Sequence, residues 1–298
     1  MKLITAYRFL GLITMMCTSY CCFAQPVWVG KNEGSFINVE FMTPSTQNNN
    51  INLTFPSIST YVSGKIEVSQ IIKLVAEIPI LHAHHSMPYI HEYETSMVRF
   101  NNSPPYDIII ESIQQEKTYN SSTVIGNPYF GIEIKHGDSN FFWEIGWRPR
   151  VLSDSSPIAG YIGRISDSQR RGAGIYRSHV GIVRLNYLKE ISQKSFIRIR
   201  LGPTLYEGGS VDVVPYFEYV LQFGQNHGSI GYLLGYIGEM NVREVNGNFT
   251  NVLAASLWKT FGKWQPGLQA RLPMSRDDQP FKKLSNVVGL NLRYYITS

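Results

Sequence analysis

Only 16% of the 298 residues are charged while 13% are aromatic, and soluble domains typically carry about 25% charge, which argues against an ordinary soluble domain. The 27 Lys and Arg against 22 Asp and Glu are too evenly balanced for a nucleic-acid partner. No apolar run of about 18 residues follows residue 24, so a mature chain that resides in a membrane must do so as a closed barrel, because only helices and barrels satisfy every backbone group in lipid.

The chain opens MKLITAYRF, with Lys2 and Arg8 ahead of an apolar run from Phe9 to Met16 that is too short to span a bilayer. This is the pattern of a secretory signal peptide, and Cys22 and Ala24 fit the small-residue rule for cleavage after residue 24. The mature domain is then residues 25–298. All three cysteines, Cys17, Cys21 and Cys22, fall in the leader, so the mature chain has neither disulfides nor thiolate metal sites. Acylation of Cys21 or Cys22 is the rival reading, although Thr18, Ser19 and Tyr20 lack the usual leucine and small-residue run.

After the leader no segment of helical length has period 3.6. Period-2 segments recur instead near 35–43, 58–69, 71–83, 125–136, 139–150, 176–189, 194–206, 211–223, 228–240, 249–261, 263–274 and 284–296, each about the length that crosses an outer membrane. Their connections alternate. Long ones at 44–57, 84–124 and 151–175 follow the first, third and fifth segments, short ones at Gln70, 137–138 and 190–193 follow the second, fourth and sixth, and the last three pairs are tighter but keep the pattern. One end of the molecule is therefore all turns and the other all loops, as in bacterial outer-membrane barrels with short periplasmic turns and long extracellular loops. The expected fold is an all-β, closed antiparallel transmembrane β-barrel of about twelve strands.

The two faces of each segment agree with that expectation. Phe141, Trp143, Ile145 and Trp147 oppose Glu144, Gly146, Arg148 and Arg150, and in the final strand Val288, Leu290, Leu292, Tyr294 and Ile296 oppose Asn291 and Arg293. Phe141, Phe142, Tyr187, Phe196, Phe223, Phe261 and Trp264 cluster beside the short turns and suggest an aromatic girdle. Against the pattern stand prolines inside strands, at Pro79, Pro149, Pro203, Pro215 and above all Pro266, since each removes a ladder donor. The segment 249–261 is ambiguous, with Leu253, Ala255 and Leu257 apolar on one face and Val252, Ala254 and Trp258 on the other.

The inward-facing charges are the candidate pore lining: Glu144, Arg148, Arg150, Arg198, Arg200, Glu218, Arg271 and Arg293. Rings of such side chains tune the selectivity of a pore. Mixed signs in a narrow barrel can also pair and seal it, but about twelve strands lie between filled and open barrels, which favours a narrow water-filled path. The connection 84–124 holds an apolar stretch, Ile108–Ile110 between Asp107 and Glu111. It is expected either to fold into the mouth as a constriction or to cap the rim. At its start His82, His84, His85 and His91 are metal-ligand candidates by residue type, although His85 points away from His82 and His84, and a polar rim is the simpler reading.

The stretch KIEVSQIIKLVAEIPIL (65–81), a hairpin with a very short turn, and IGNPYFGIEI (125–134), with its G-N-P-x-x-G start, resemble the outer-membrane transporters grouped with the phenol-degradation meta-pathway barrels. The resemblance implies uptake of small, often hydrophobic or aromatic, compounds and supplies no catalytic residues. One departure is the end of the chain, Ile296-Thr297-Ser298, where such barrels often finish on an aromatic residue. No hydrolase, zinc-protease or phosphate-loop signature is present in the sequence. The expectation is a non-enzymatic channel without a cofactor, its partners being outer-membrane lipid and small-molecule solutes. A structural or adhesive barrel and a soluble secreted β-protein remain the alternatives.

Overall fold

The computed structural model describes residues 34–45, 47–48, 51–53, 57–98, 108–137, 139–152, 157–208, 211–243, 249–274 and 286–296. The signal peptide expected over residues 1–24 lies outside these. In chain order the elements are β1 (Phe36–Ser45), β2 (Gln47–Asn48), β3 (Ile51–Leu53), β4 (Ile58–Glu67), β5 (Ile72–Val98), β6 (Ile108–Ile125), β7 (Tyr129–Lys135) and β8 (Phe141–Arg148). A helix α1 (Pro157–Ser166) and a 3-10 helix (Ser168–Gly174) come next. They precede β9 (Ser178–Glu190), β10 (Ser195–Gly208), β11 (Val211–His227), β12 (Ile230–Asn241), β13 (Phe249–Lys259), β14 (Trp264–Pro273) and β15 (Asn286–Tyr295).

Every neighbouring wall pair is antiparallel, and the sheet closes on itself. From β5 the order runs through β4, β1 and β15 back down the chain to β7, and β7 pairs β5 again. Twelve strands make the wall; β2, β3 and β6 lie on its extensions. The closing seam joins Phe36 of β1 to Tyr295 of β15, the two ends of the described chain, in a ladder that continues to Ser45 and Asn286. Closure removes every free edge from the wall, which a sheet in hydrocarbon requires.

Alternation sorts the side chains as the sequence implied. Val288 and Leu290 of β15 are 64% and 55% exposed, whereas Arg293 on the opposite face is 1% exposed. The apolar residues thus coat the outside and the charges turn in, the reverse of a water-soluble barrel and the arrangement a lipid solvent selects. The ambiguous β13 is resolved in the same way: Leu253 and Leu257 are outside, at 44% and 50% exposure, while Val252, Ala254 and Trp258 are buried inside.

The awkward prolines mark interruptions in the ladder. Pro149 follows the end of β8, and Pro215 sits at the end of the β11–β12 ladder, whose first pair is Tyr216 with Asn241. Pro79 lies where the partner of β5 changes from β7 to β6, and Pro203 lies in the gap between the Leu201–Leu185 and Thr204–Ile182 pairs. Pro266 falls between the Trp258–Gly267 pair and the isolated Phe261–Trp264 bridge, so the missing N–H leaves a break in the β13–β14 ladder near the turn end. Phe196, expected in the aromatic girdle, is instead wholly buried on the inner face, because it shares parity with Arg198 and Arg200.

Two of the long connections depart from expectation. Residues 84–124 do not fold into the mouth as a loop: β5 continues past the wall, and Ile80–Val98 pair with β6 in one long hairpin. Residues 99–107 at its tip are outside the described set. The connection after β8, by contrast, contains a helix that period analysis did not find. Pro157 opens α1 at the position where a missing N–H costs nothing, and Ala159, Ile162 and Ile165 form its buried stripe. That stripe packs on Leu81 and Ala83, inward-facing residues of β5.

Candidate functional site

The segment formed by α1 and the 3-10 helix lies inside the loop end of the barrel, and its polar residues meet charges on the inner wall. Arg170 is its centre. The guanidinium donates from Nη2 and Nη1 to the two carboxylate oxygens of Glu40 at 2.6 and 3.0 Å, and its Nε lies 2.8 Å from Glu77 Oε2. Its flat face covers the Tyr61 ring at 4.3 Å. One side chain from the segment thereby ties β1 and β5 together.

Asp167 works in the opposite sense. It caps the 3-10 helix by accepting from the Gln169 N–H at 2.9 Å, and it pairs with Arg271 of β14. Burial by itself raises its carboxyl, but the guanidinium groups of Arg271 and Arg170 outweigh that and hold it below the ordinary carboxylate range. Arg171 reaches Glu239 of β12 at 2.9 Å. Ser166 and Ser59 share a 2.8 Å hydrogen bond, and the Tyr61 hydroxyl donates to the Gly163 carbonyl at 3.4 Å.

Both ends of the segment are held by Asn127, in the G-N-P turn between β6 and β7. Its Nδ2 donates to the carbonyls of Gly172 and Ile175 at 3.0 and 2.6 Å. Its Oδ1 accepts from the N–H groups of Val151 and Leu152 at 2.8 and 2.9 Å. The preceding Gly126 must lack a side chain, since a Cβ there would stand 2.5 Å from the Ala173 carbonyl oxygen. The short motif that carried the sequence resemblance is thus the fastening point of the inserted segment.

Below the segment the inward charges join one another. Arg184 bridges Glu144, at 2.7 Å, and Glu218. Arg200 Nε lies 3.0 Å from the other Glu144 oxygen; Thr204 donates to Glu218 at 2.6 Å. Arg148 contacts Glu77 at 2.7 Å and the Asn127 carbonyl at 3.0 Å, Lys65 meets Glu133 at 2.5 Å, and Arg198 donates to Gln222 at 3.2 Å. Of the eight residues expected to line a pore, seven are therefore inside and at most 4% exposed. The exception is Arg150, which lies beyond the end of β8 and is exposed. Among the described residues, charges of opposite sign pair across the interior where the sequence led to the expectation of a narrow water-filled path, and the inserted segment packs over them.

The inner wall is not uniformly polar. Leu233 and Ile237 of β12 and Val252, Ala254 and Trp258 of β13 form a buried apolar stripe with Phe196 and Val220. Its flanks are polar, with Arg198 and Gln222 on one side and Gln265 and Gln269 on the other.

The four histidine candidates all lie on β5. His82 Nδ1 is 2.8 Å from the Thr123 hydroxyl on β6, His84 is engaged through its backbone by Ser57, and the side chains of His85 and His91 are outside the described set. Among the described residues no three metal-ligating side chains gather. Sequence reasoning missed Arg184, Arg170, Asp167 and Asn127. Parity along β9 could have found Arg184 and the G-N-P motif pointed to the position of Asn127; nothing local marks Arg170 or Asp167.

No family model and no curated protein matches the sequence. Solved structures do share its fold. The COG4313 outer membrane channel from Pseudomonas putida F1 superposes with a TM-score of 0.51 at 10% identity, over 91% of this chain and 98% of that one. The KdgM porin gives a TM-score of 0.48 at 6% identity, over 88% and 99% of the two chains, and a Pseudomonas aeruginosa FadL homologue gives 0.38 at 7%, over 88% and 90%. The chain thus shares a closed antiparallel β-barrel fold with the first of these structures.

Proposed function

We propose that the chain is an outer-membrane channel for passive passage of small solutes, held closed by the segment Pro157–Gly174, with no catalytic step and no cofactor. The observation that carries this reading is the way the segment is attached. It blocks the loop end of the lumen through ion pairs and hydrogen bonds from Arg170, Asp167 and Arg171, not by being part of the wall. A plug held by side chains can leave without unfolding the barrel.

A leader cleaved after residue 24 would deliver the protein to the outer membrane, with the short turns in the periplasm. The apolar stripe from Phe196 to Val252 supports the finer reading that the solutes are hydrophobic or aromatic, as the resemblance to the meta-pathway transporters implies. Such a surface desolvates rings and alkyl chains while the flanking arginines and glutamines stay polar.

The test is single-channel conductance in planar bilayers. Wild-type protein should conduct weakly, and replacing Pro157–Gly174 with a short Gly-Ser linker should raise conductance several-fold, since pore area rather than wall charge then limits flow. Equal conductance for the two proteins would rule out the plug. The long β5–β6 hairpin favours a second reading, an adhesive barrel whose extension meets an external partner; that reading expects no conductance from either protein.

A further inference from the structure

The inserted segment carries a second arginine, and its partner has no other counter-charge. Arg171 Nη1 lies 2.9 Å from Glu239 Oε1 on β12. Apart from that contact neither Glu239 oxygen has a partner among the described residues, although the residue is only 2% exposed. Glu239 stands directly opposite Glu218 of β11 in the ladder, so two carboxylates neighbour each other on the inner wall. Glu218 is met without the segment, by Arg184 and by the Thr204 hydroxyl. Arg184 divides itself between Glu218 and Glu144.

Aromatic rings complete the surroundings. Tyr206 of β10 shares parity with Thr204, and Tyr216 of β11 shares parity with Glu218, so both belong to the inner face. The two rings meet edge to face, their centroids 5.2 Å apart at 85°, and the Arg171 guanidinium carbon is 5.6 Å from the Tyr216 centroid. The Arg171 side chain is 20% exposed and that of Glu239 is 3% exposed, so the arginine is the accessible member of the pair. Undocking the segment therefore uncovers a carboxylate beside an aromatic ring.

We propose that Glu239, Tyr206 and Tyr216 form a binding site for small organic cations, guanidinium or alkylammonium groups, and that Arg171 occupies this site while the segment is docked. Once Arg171 withdraws, three carboxylates of the linked cluster, Glu144, Glu218 and Glu239, face two guanidinium groups, Arg184 and Arg200. A carboxylate held out of water is costly unless a cation meets it, and a tyrosine ring beside it adds the attraction of its face for a cationic head. A solute cation competes with Arg171 for the same place, and because it binds only the undocked state it favours opening. This inference rests on the channel reading and narrows the solutes to organic cations with a short apolar body.

The probe is ethylguanidinium, which reproduces the Arg171 side chain beyond Cβ, with ethylurea as its neutral analogue. Both are titrated calorimetrically, at constant ionic strength, into the detergent-purified Arg171→Ala barrel, in which Arg170 and Asp167 still hold the segment and the competing guanidinium is gone. Folding is checked by the difference in gel mobility between unboiled and boiled samples. Ethylguanidinium should bind saturably. Ethylurea with this variant, and ethylguanidinium with Arg171→Ala plus Glu239→Gln, should bind at least about tenfold more weakly, the loss expected from one charge-assisted contact. Adding Tyr216→Leu instead should weaken binding about two- to fivefold. Equal affinity with and without Glu239→Gln, equal affinity for the two probes, or no saturable binding to Arg171→Ala would each overturn the site. If Arg171→Ala does not fold, wild-type conductance carries the test. It should rise as ethylguanidinium is added and not as ethylurea is added; no rise, or one undiminished in Glu239→Gln, overturns the site. Absent binding in a barrel whose segment deletion conducts sinks the site and spares the channel. Binding in a barrel whose segment deletion does not conduct does the opposite.

Discussion

The two longest connections that the structure describes behave in opposite ways. The outer part of β5 carries on the barrel ladder as a β5–β6 hairpin that pairs from Ile80 with Ile125 to Val98 with Ile108. The residues after β8 turn inward, coil into a helix and a 3-10 helix, and bury Arg170 and Asp167 against the wall. Length does not separate them, and apolar content points the wrong way, since the hairpin holds the Ile108–Ile110 run. The difference is in what each can bond to. Strand-forming residues on both arms of the hairpin satisfy one another's backbone, whereas glycines every few residues in the other segment discourage a strand and its charges find opposite charges only in the lumen.

The comparison can be broken most severely at Arg170. Arg170→Ala leaves Glu40 and Glu77 buried beside each other without the shared cation, a change that costs about 3 to 5 kcal/mol. The inserted segment should leave the lumen, with conductance in planar bilayers rising toward that of the segment deletion. A variant that conducts like wild type would show that the segment is held by its apolar face alone. Arg170→Lys should fall between, because an ammonium cannot span both carboxylates in the same fork.

Asn127→Ala comes next. It removes four hydrogen bonds at the two ends of the segment, each worth about 1 kcal/mol net, while the ion pairs remain. Frequent brief openings are expected in current traces. Unaltered gating would make the Asn127 contacts incidental.

Acid should act more gently. Asp167 has its pKa lowered by Arg271 and Arg170, which outweigh the upward push of burial, to below the unfolded value of about 3.9. Its share of the docking energy is thus fully present above about pH 4 and is lost as pH falls through the lowered value. Conductance should hold steady from neutrality to about pH 5 and rise only below about pH 4, and Asp167→Asn should abolish that rise. A transition near neutrality that survives Asp167→Asn would assign the response to another group.

The smallest effect is expected from the other long connection. Deleting residues 86–118 and rejoining the arms should leave conductance unchanged, because the β5–β6 ladder there carries on the wall. A several-fold increase would mean that it too blocks the mouth and would erase the distinction between the two regions.

The wall was legible because each of its strands obeys a local rule. Alternation alone separates Leu290 from Arg293, and strand boundaries such as 58–69 against the observed Ile58–Glu67 follow from turn residues and hydropathy. Even Pro266, which looked like an error in the pattern, reports a real break in the ladder. The plug was illegible for the converse reason. Arg170 lies 130 residues from Glu40, and no periodicity within SDSQRRGAG marks an arginine that will be buried between two strands from the start of the barrel. The G-N-P turn was visible as a motif, but its role depends on a segment that returns to it later in the chain.

Local alternation and the sorting of turns and loops were enough to determine the twelve-strand barrel, its lipid-like exterior and its charged interior, since a period of two residues needs only neighbours to express it. Tertiary structure alone decided which charges pair, which connection enters the lumen and which inner face is apolar. Those outcomes depend on closing the sheet, which brings strands distant in sequence across one narrow space where opposite charges and excluded volume select the partners.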